Sequence, residues 1–387
     1  MIHHRSKMNI FFILETVLLV IFYLINPIHV RSDLEHPTNQ MQNLQRVLSS
    51  LLTKTISDTQ FQDPNTKLKI ESELIELKKL AHHLNTNNKN SDPILNFLPD
   101  HFEKQASEAL VAYQEGSRIY ARTLIRSITG FCIACHTSDS SGPQLPKSSL
   151  LSALPLKPLE LAQFYTATRQ FDQAETIYSK IIQNTRENRD DLDEAVRQSL
   201  GIAIRVKNDP KLALALVEYV LKSAYSPIFL KLNASKWRFD ILKWKSKKEI
   251  FNTPDEMLIM AKNLVENAQK KQKHFMDRSA DIQYLRASSI LHELMKKPLS
   301  PKFLSEAFFL EGSCYDALNP YYFDNLNNLY FAACIRSKPH SDLSEKCYHR
   351  YEQNIYNGYT NSSGTHLPQS VRENLIDLWA LAIKPRI

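Results

Sequence analysis

The sequence predicts an all-α protein in two parts, a four-helix bundle followed by an irregular α-solenoid. Three observations carry that expectation. Only 7 glycines occur in 387 residues, 43% of which are hydrophobic, and the alternating apolar–polar runs of a half-buried strand are scarce. Between about residues 37 and 136 apolar residues recur at steps of three and four. Beyond residue 150 the same steps group into helix pairs. The length allows two or three domains.

The N-terminus reads as an export signal over residues 1–32. MIHHRSKMN is a short basic stretch, and IFFILETVLLVIFYLI is an apolar run of about 16 residues interrupted by Glu15. Val30 and Ser32 then occupy the −3 and −1 positions of a cleavage site before Asp33. A membrane-spanning helix needs about 20 residues, so cleavage is the expectation and retention as an N-terminal anchor the alternative. Either way, the remaining chain is expected outside the cytosol, as a periplasmic or otherwise exported bacterial protein. The formal net charge is +7. Without the first 32 residues 45 basic and 40 acidic side chains remain, an excess too mild and too dispersed for a nucleic-acid partner.

Residues 33–137 parse into four helices. The first, about 37–56, aligns Met41, Leu44, Leu48 and Leu51. The second, about 65–86, aligns Ile70, Leu74, Leu77, Ala81 and Leu84. The third, about 99–114, aligns Phe102, Ala106, Leu110 and Tyr113. The fourth, about 117–136, aligns Ala121, Leu124, Ile128, Cys132 and Cys135. Each stripe supplies one face of a bundle core, and Gly116 suits a tight connection between the third and fourth.

HTSDSSGPQLPKSS follows, rich in Ser, Pro and Gly, which places a linker at 138–149. Residues 150–387 then read as helix pairs. Leu161, Ala162, Tyr165, Ala174 and Tyr178 fall where the tetratricopeptide repeat expects small and aromatic residues, and the segment resembles that repeat. Leu200, Gly201 and Ala213 form a weaker copy. The register blurs through 230–300 and returns with Gly312, Tyr315, Phe331, Cys334 and Pro339. A repeat array of this kind implies docking of a protein partner.

The chemistry sits in FCIACHTSD, where Cys132-x-x-Cys135-His136 ends the fourth helix. A structural zinc site wants four ligands, and Cys314, Cys334 and Cys347 lie far off with no second CxxC. A redox dithiol expects a βαβ setting. Covalent haem needs two thiols on one helix face to add to the vinyl groups, with an imidazole next to them for the iron. The spacing meets that requirement, and an exported chain fits it. One covalent haem c, held by Cys132 and Cys135 with His136 as proximal iron ligand, is the expected cofactor.

With the motif closing a four-helix segment, YQEGSRIYARTLIRSITGFCIACH and DLEHPTNQMQNLQRVLSSLL resemble the last and first helices of the cytochrome c-prime family and its four-helix b-type relatives. That resemblance covers about 100 residues. It implies that the last helix supplies the proximal His and the start of the first helix a Met, which makes Met41 the candidate distal ligand. His82, His83 and His101 are alternatives. His–Met ligation raises the potential and suits electron transfer. Arg118, Arg122 and Arg126 read as a solvated face, with a propionate partner among them as the sharper alternative. Cys334 and Cys347 lie nearly equidistant from a turn at KPHSD, which suggests a disulfide between antiparallel helices.

Together these readings predict an exported mono-haem c-type cytochrome that passes single electrons between redox protein partners, docked through its repeats. No acid–base or nucleophilic constellation is legible, so an enzyme is not expected. A gas or redox sensor, or a scaffold, with an open sixth iron site is the alternative.

Overall fold

A computed structural model describes residues 37–87, 93–116, 118, 121–122, 124–128, 156–184, 189–246, 249–274, 276–318, 326–361, 364–365 and 367–383. Residues 1–32, expected to be an export signal, and 138–149, expected to be a linker, lie outside these residues.

Proline sets many of the helix starts. Pro37, Pro93, Pro158, Pro210, Pro254 and Pro301 are each the first residue of a helix. There the missing N–H removes a donor the helix would leave unpaired anyway, and φ is already helical. Capping residues reinforce two of these starts: Asp209 accepts from the amides of Lys211 and Leu212, and Thr253 from that of Glu256. This is how a chain with 18 prolines stays helical.

The helices in order are α1 (Pro37–Ile56), the short α2 (Asp58–Gln62), α3 (Lys67–Asn87) and α4 (Pro93–Gln114), then a helical segment within 118–128. After the undescribed stretch come α5 (Pro158–Ala167), α6 (Phe171–Gln183), α7 (Arg189–Gly201), α8 (Pro210–Lys222), α9 (Ile228–Lys245), α10 (Pro254–Lys271) and α11 (Asp281–Met295). α12 (Pro301–Leu318), α13 (Asn327–Ser337), α14 (Asp342–Tyr359) and α15 (Gln369–Ala382) complete the series. The all-helical expectation holds. Its one exception among the described residues is a two-residue antiparallel hairpin, β1 (Thr360–Asn361) with β2 (Gly364–Thr365), in register Thr360 to Thr365. The third predicted helix starts earlier than expected, at Pro93, and runs through Pro99. The expected start, at about residue 99, lies inside the helix.

Most of the described residues of the predicted stripes are buried, and Leu84 and Leu124 are partly buried against them. Leu44, Leu48 and Leu51 of α1, Ile70, Leu74, Leu77 and Ala81 of α3, and Phe102, Ala106, Leu110 and Tyr113 of α4 are buried, as are Ala121 and Ile128. Burying each large apolar side chain contributes about 1.5–3 kcal/mol. Gly116 takes φ +84° where the turn after α4 needs it.

The described residues from Met41 onward belong to one compact unit. Within it one apolar cluster runs from Leu44 to Ala382. Sequential helices pack on one another: α5 on α6, α8 on α9, α10 on α11, α12 on α13 and α13 on α14. Ala162, Ala174 and Tyr178 are fully buried at the α5–α6 crossing. A backbone feature recurs between helices. Arg169, Asn208 and His340 all have positive φ, at 62°, 48° and 55°, and each stands two residues before the next helix begins, at Phe171, Pro210 and Asp342.

Candidate functional site

Cys132, Cys135 and His136 lie outside the described residues, but the helix leading to them is partly described. Its inner face is buried through Ala121, Ile125 and Ile128. Two polar clamps hold it. Gln105 Nε2 of α4 donates to the Leu124 carbonyl at 3.0 Å and to Ser127 Oγ at 2.5 Å. Arg122 donates from Nε to the Thr55 carbonyl at 2.6 Å and from Nη2 to the Ile56 carbonyl at 2.9 Å. These are carbonyls of the last turn of α1, which has no intrahelical donors left for them. The expectation of a solvated arginine face is therefore corrected at Arg122, which caps α1 with a charge suited to that end of its dipole. Arg118 reaches the Gln62 carbonyl at 3.4 Å and stands 5.8 Å from the Tyr113 ring.

Met41 stands one turn into α1, three and seven residues before the buried Leu44 and Leu48. Its side chain lies outside the described set. Two of the three histidines weighed against it are engaged elsewhere. His82 Nδ1 meets Glu103 Oε1 at 2.8 Å. Hydrogen bonds from Asn85 and then His82 hold that carboxylate below its usual range. His83 is exposed. His101 Nε2 accepts from Arg336 Nη1 of α13 at 2.9 Å. Burial, then the adjacent Arg336 charge, lowers its pKa to about 3, so the ring is neutral.

Cys334 of α13 and Cys347 of α14 form a disulfide with Cα atoms 6.3 Å apart. The antiparallel helix pair brings them together across the turn at His340. Cys314 is a buried free thiol, pushed well up by burial and by Glu311.

One constellation escaped the sequence reading. Ile202–Val206 is a π-helical turn at the end of α7, a local widening that often marks a special side chain. It carries Arg205 into the interior, where His292 of α11, Glu311 and Tyr315 of α12 and Tyr330 of α13 surround it, all buried. Arg205 Nη2 lies 2.7 Å from Tyr315 Oη, 2.8 Å from His292 Nε2 and 3.9 Å from Glu311 Oε1. His292 Nε2 is also 3.0 Å from that carboxylate oxygen, and Ser288 Oγ donates to it at 2.5 Å. His292 Nε2 carries one lone pair or one proton, so it accepts from Arg205 or donates to Glu311, never both. Ser288 Oγ and His292 Nε2 both approach the same carboxylate oxygen instead of forming a Ser–His–acid chain, so the trio lacks the order of a hydrolytic triad. The sequence did hold a signal: Ser288/His292 and Glu311/Tyr315 are polar pairs four residues apart inside mainly apolar helices.

Among the described residues no group of three His, Cys, Asp or Glu could hold a metal ion, and no helix is long and apolar enough to cross a membrane. No protein-family model, curated protein or solved structure matches the chain.

Proposed function

We propose that the chain is an exported mono-haem c-type cytochrome that transfers electrons, built as a four-helix haem segment joined to tetratricopeptide-like repeats that dock a protein partner. The observation that carries the reading is the sequence motif Cys132-x-x-Cys135-His136, which begins four residues after the helical segment that Arg122 clamps to α1 and Gln105 clamps to α4. The donor set suits haem c: two thiols for thioether bonds and one imidazole for iron. When bound, the haem supplies a one-electron centre. Cys132 and Cys135 would hold it through thioether bonds, His136 would ligate the iron, and Met41, at the start of α1, is the candidate for the second protein ligand. With His82 and His101 bonded to Glu103 and Arg336, Met41 is favoured over them. For the repeats, support comes from the buried Ala162, Ala174 and Tyr178 and from the positive-φ residue recurring two positions before a helix start. Retention of the first 32 residues would add a membrane tether.

The test is expression in a bacterium with an active haem c maturation system, followed by haem staining on a denaturing gel and a pyridine haemochrome spectrum. Covalent haem that disappears in Cys132→Ala and Cys135→Ala supports the reading, and a haem-free wild type overturns it. Met41→Ala is expected to abolish the Met–iron charge-transfer band of the oxidised protein. Ready carbon monoxide binding by the wild type would instead favour the sensor reading with an open sixth site.

A further inference from the structure

α9 is apolar on two opposite faces. Leu230, Ala234, Trp237, Ile241 and Trp244 are buried, at alternating steps of four and three, and this face packs on α8 and α11. Ile228, Leu232, Ser235, Phe239 and Leu242 follow the same steps about 200° round the helix. This second stripe faces outward: Ile228 is 79% exposed, Leu232 58% and Phe239 68%.

Its geometry separates the occupants it could take. Strict steps of four and three give the narrow seam of a helix pair, whereas a helix lying in a lipid interface presents a broader apolar face. In heptad terms the outward stripe fills the a and d positions, and the flanking e and g positions are Phe229, Lys231, Lys236, Arg238, Lys243 and Lys245. Five of the six are basic, and the sixth, Phe229, is 48% exposed and extends the apolar seam at its start. Glu218 pairs with Arg238, and Asp277 stands 4.0 Å from Lys236, which leaves the seam edges net positive. A second copy of α9 would set like charges against one another in either orientation. A helix with an apolar seam and acidic edges would satisfy both the stripe and its flanks.

We propose that the outward face of α9 is a docking site for an acidic amphipathic helix of a partner protein. This names the partner chemistry for the docking half of the function proposed above and does not depend on haem.

The test uses the full chain and two synthetic three-heptad peptides with Leu at a and d. One carries Glu at e and g, and the other Lys. Binding is measured by fluorescence anisotropy at low and high salt. The Glu peptide is expected to bind at least about tenfold more tightly than the Lys peptide, a difference of about 1.4 kcal/mol. Raising the salt should narrow the gap. Phe239→Ser, at an exposed position, is expected to weaken the Glu peptide by about tenfold or more with an unchanged circular dichroism spectrum. Lys236→Glu together with Lys243→Glu is expected to shift preference toward the Lys peptide. Equal affinity for both peptides, or no binding of either, overturns the proposal. So does Phe239-dependent binding to phosphatidylserine vesicles without peptide binding, or Phe239-dependent self-association in sedimentation. Loss of covalent haem in the earlier experiment leaves this result readable, so the two can fail separately.

Discussion

Replacing Glu311 with Gln tests how the buried cluster behind the π-helical turn contributes to stability. The substitution keeps the side-chain volume and removes one negative charge from a site where Arg205 and Glu311 are almost completely buried. At 3.9 Å and an effective dielectric of about 20, the lost attraction is about 4 kcal/mol. Breaking a buried pair by removing one partner costs about 3–5 kcal/mol. Tyr315 and His292 still bond Arg205 in the variant, which places the expected loss near the lower end, at about 3 kcal/mol. Arg205→Met should cost less, because Ser288 and His292 still bond the carboxylate. The double variant should cost less than the two single losses together by about 2 kcal/mol or more, since neither charge is then stranded. Urea unfolding followed by far-ultraviolet circular dichroism measures this from midpoint shifts at constant slope. A loss below about 1 kcal/mol for Glu311→Gln, or additive single losses, would refute the view that the pair is coupled.

Three further outcomes follow from particular residues. Cys334→Ser is expected to lower stability by about 3 kcal/mol, the chain-entropy value for a loop of about this length, given a sequence separation of 13; urea midpoints with and without reductant check it, and reductant should leave the variant unmoved. Gly312→Ala places a Cβ 2.8 Å from the Phe331 ring, so the α12–α13 crossing must open, at about 1–3 kcal/mol; an unchanged thermal midpoint would count against that close approach. His101 has a pKa of about 3 in the fold against an ordinary 6.5, so below pH 6.5 the unfolded chain takes up a proton that the fold refuses. Stability is therefore expected to fall between pH 6.5 and 3, on the order of 4 kcal/mol. His101→Gln should flatten that slope, and Arg336→Met, by removing a charge that depresses the pKa, should make it shallower.

The apolar stripes of α1, α3 and α4 were legible because helical burial imposes a period that survives in the sequence. Leu44, Ile70 and Phe102 are buried where that period puts them. Gly116 was legible for a related reason, since a positive φ at a turn leaves a residue-type trace. The Cys132-x-x-Cys135-His136 motif was legible as a chemical spacing, independent of any fold. The start of α4 was not, because Pro99 carries the signature of a helix start while lying inside the helix.

What the sequence determined alone is therefore periodic or local: an all-helical chain, its stripes, and a Cys-x-x-Cys-His donor set. The tertiary structure decided what depends on residues far apart. Arg122 looks solvated on its own helix and becomes a cap only because the end of α1 lies beside it. His101 and Arg336 meet across 235 positions. Arg205 reaches Glu311 only because a π-helical turn aims it inward, and no residue type encodes that turn. The outward stripe of α9 reads the same in sequence as the inward one. Both have steps of four and three and apolar residues, save Ser235 in the outward one, and packing against α8 and α11 leaves only one of them facing solvent.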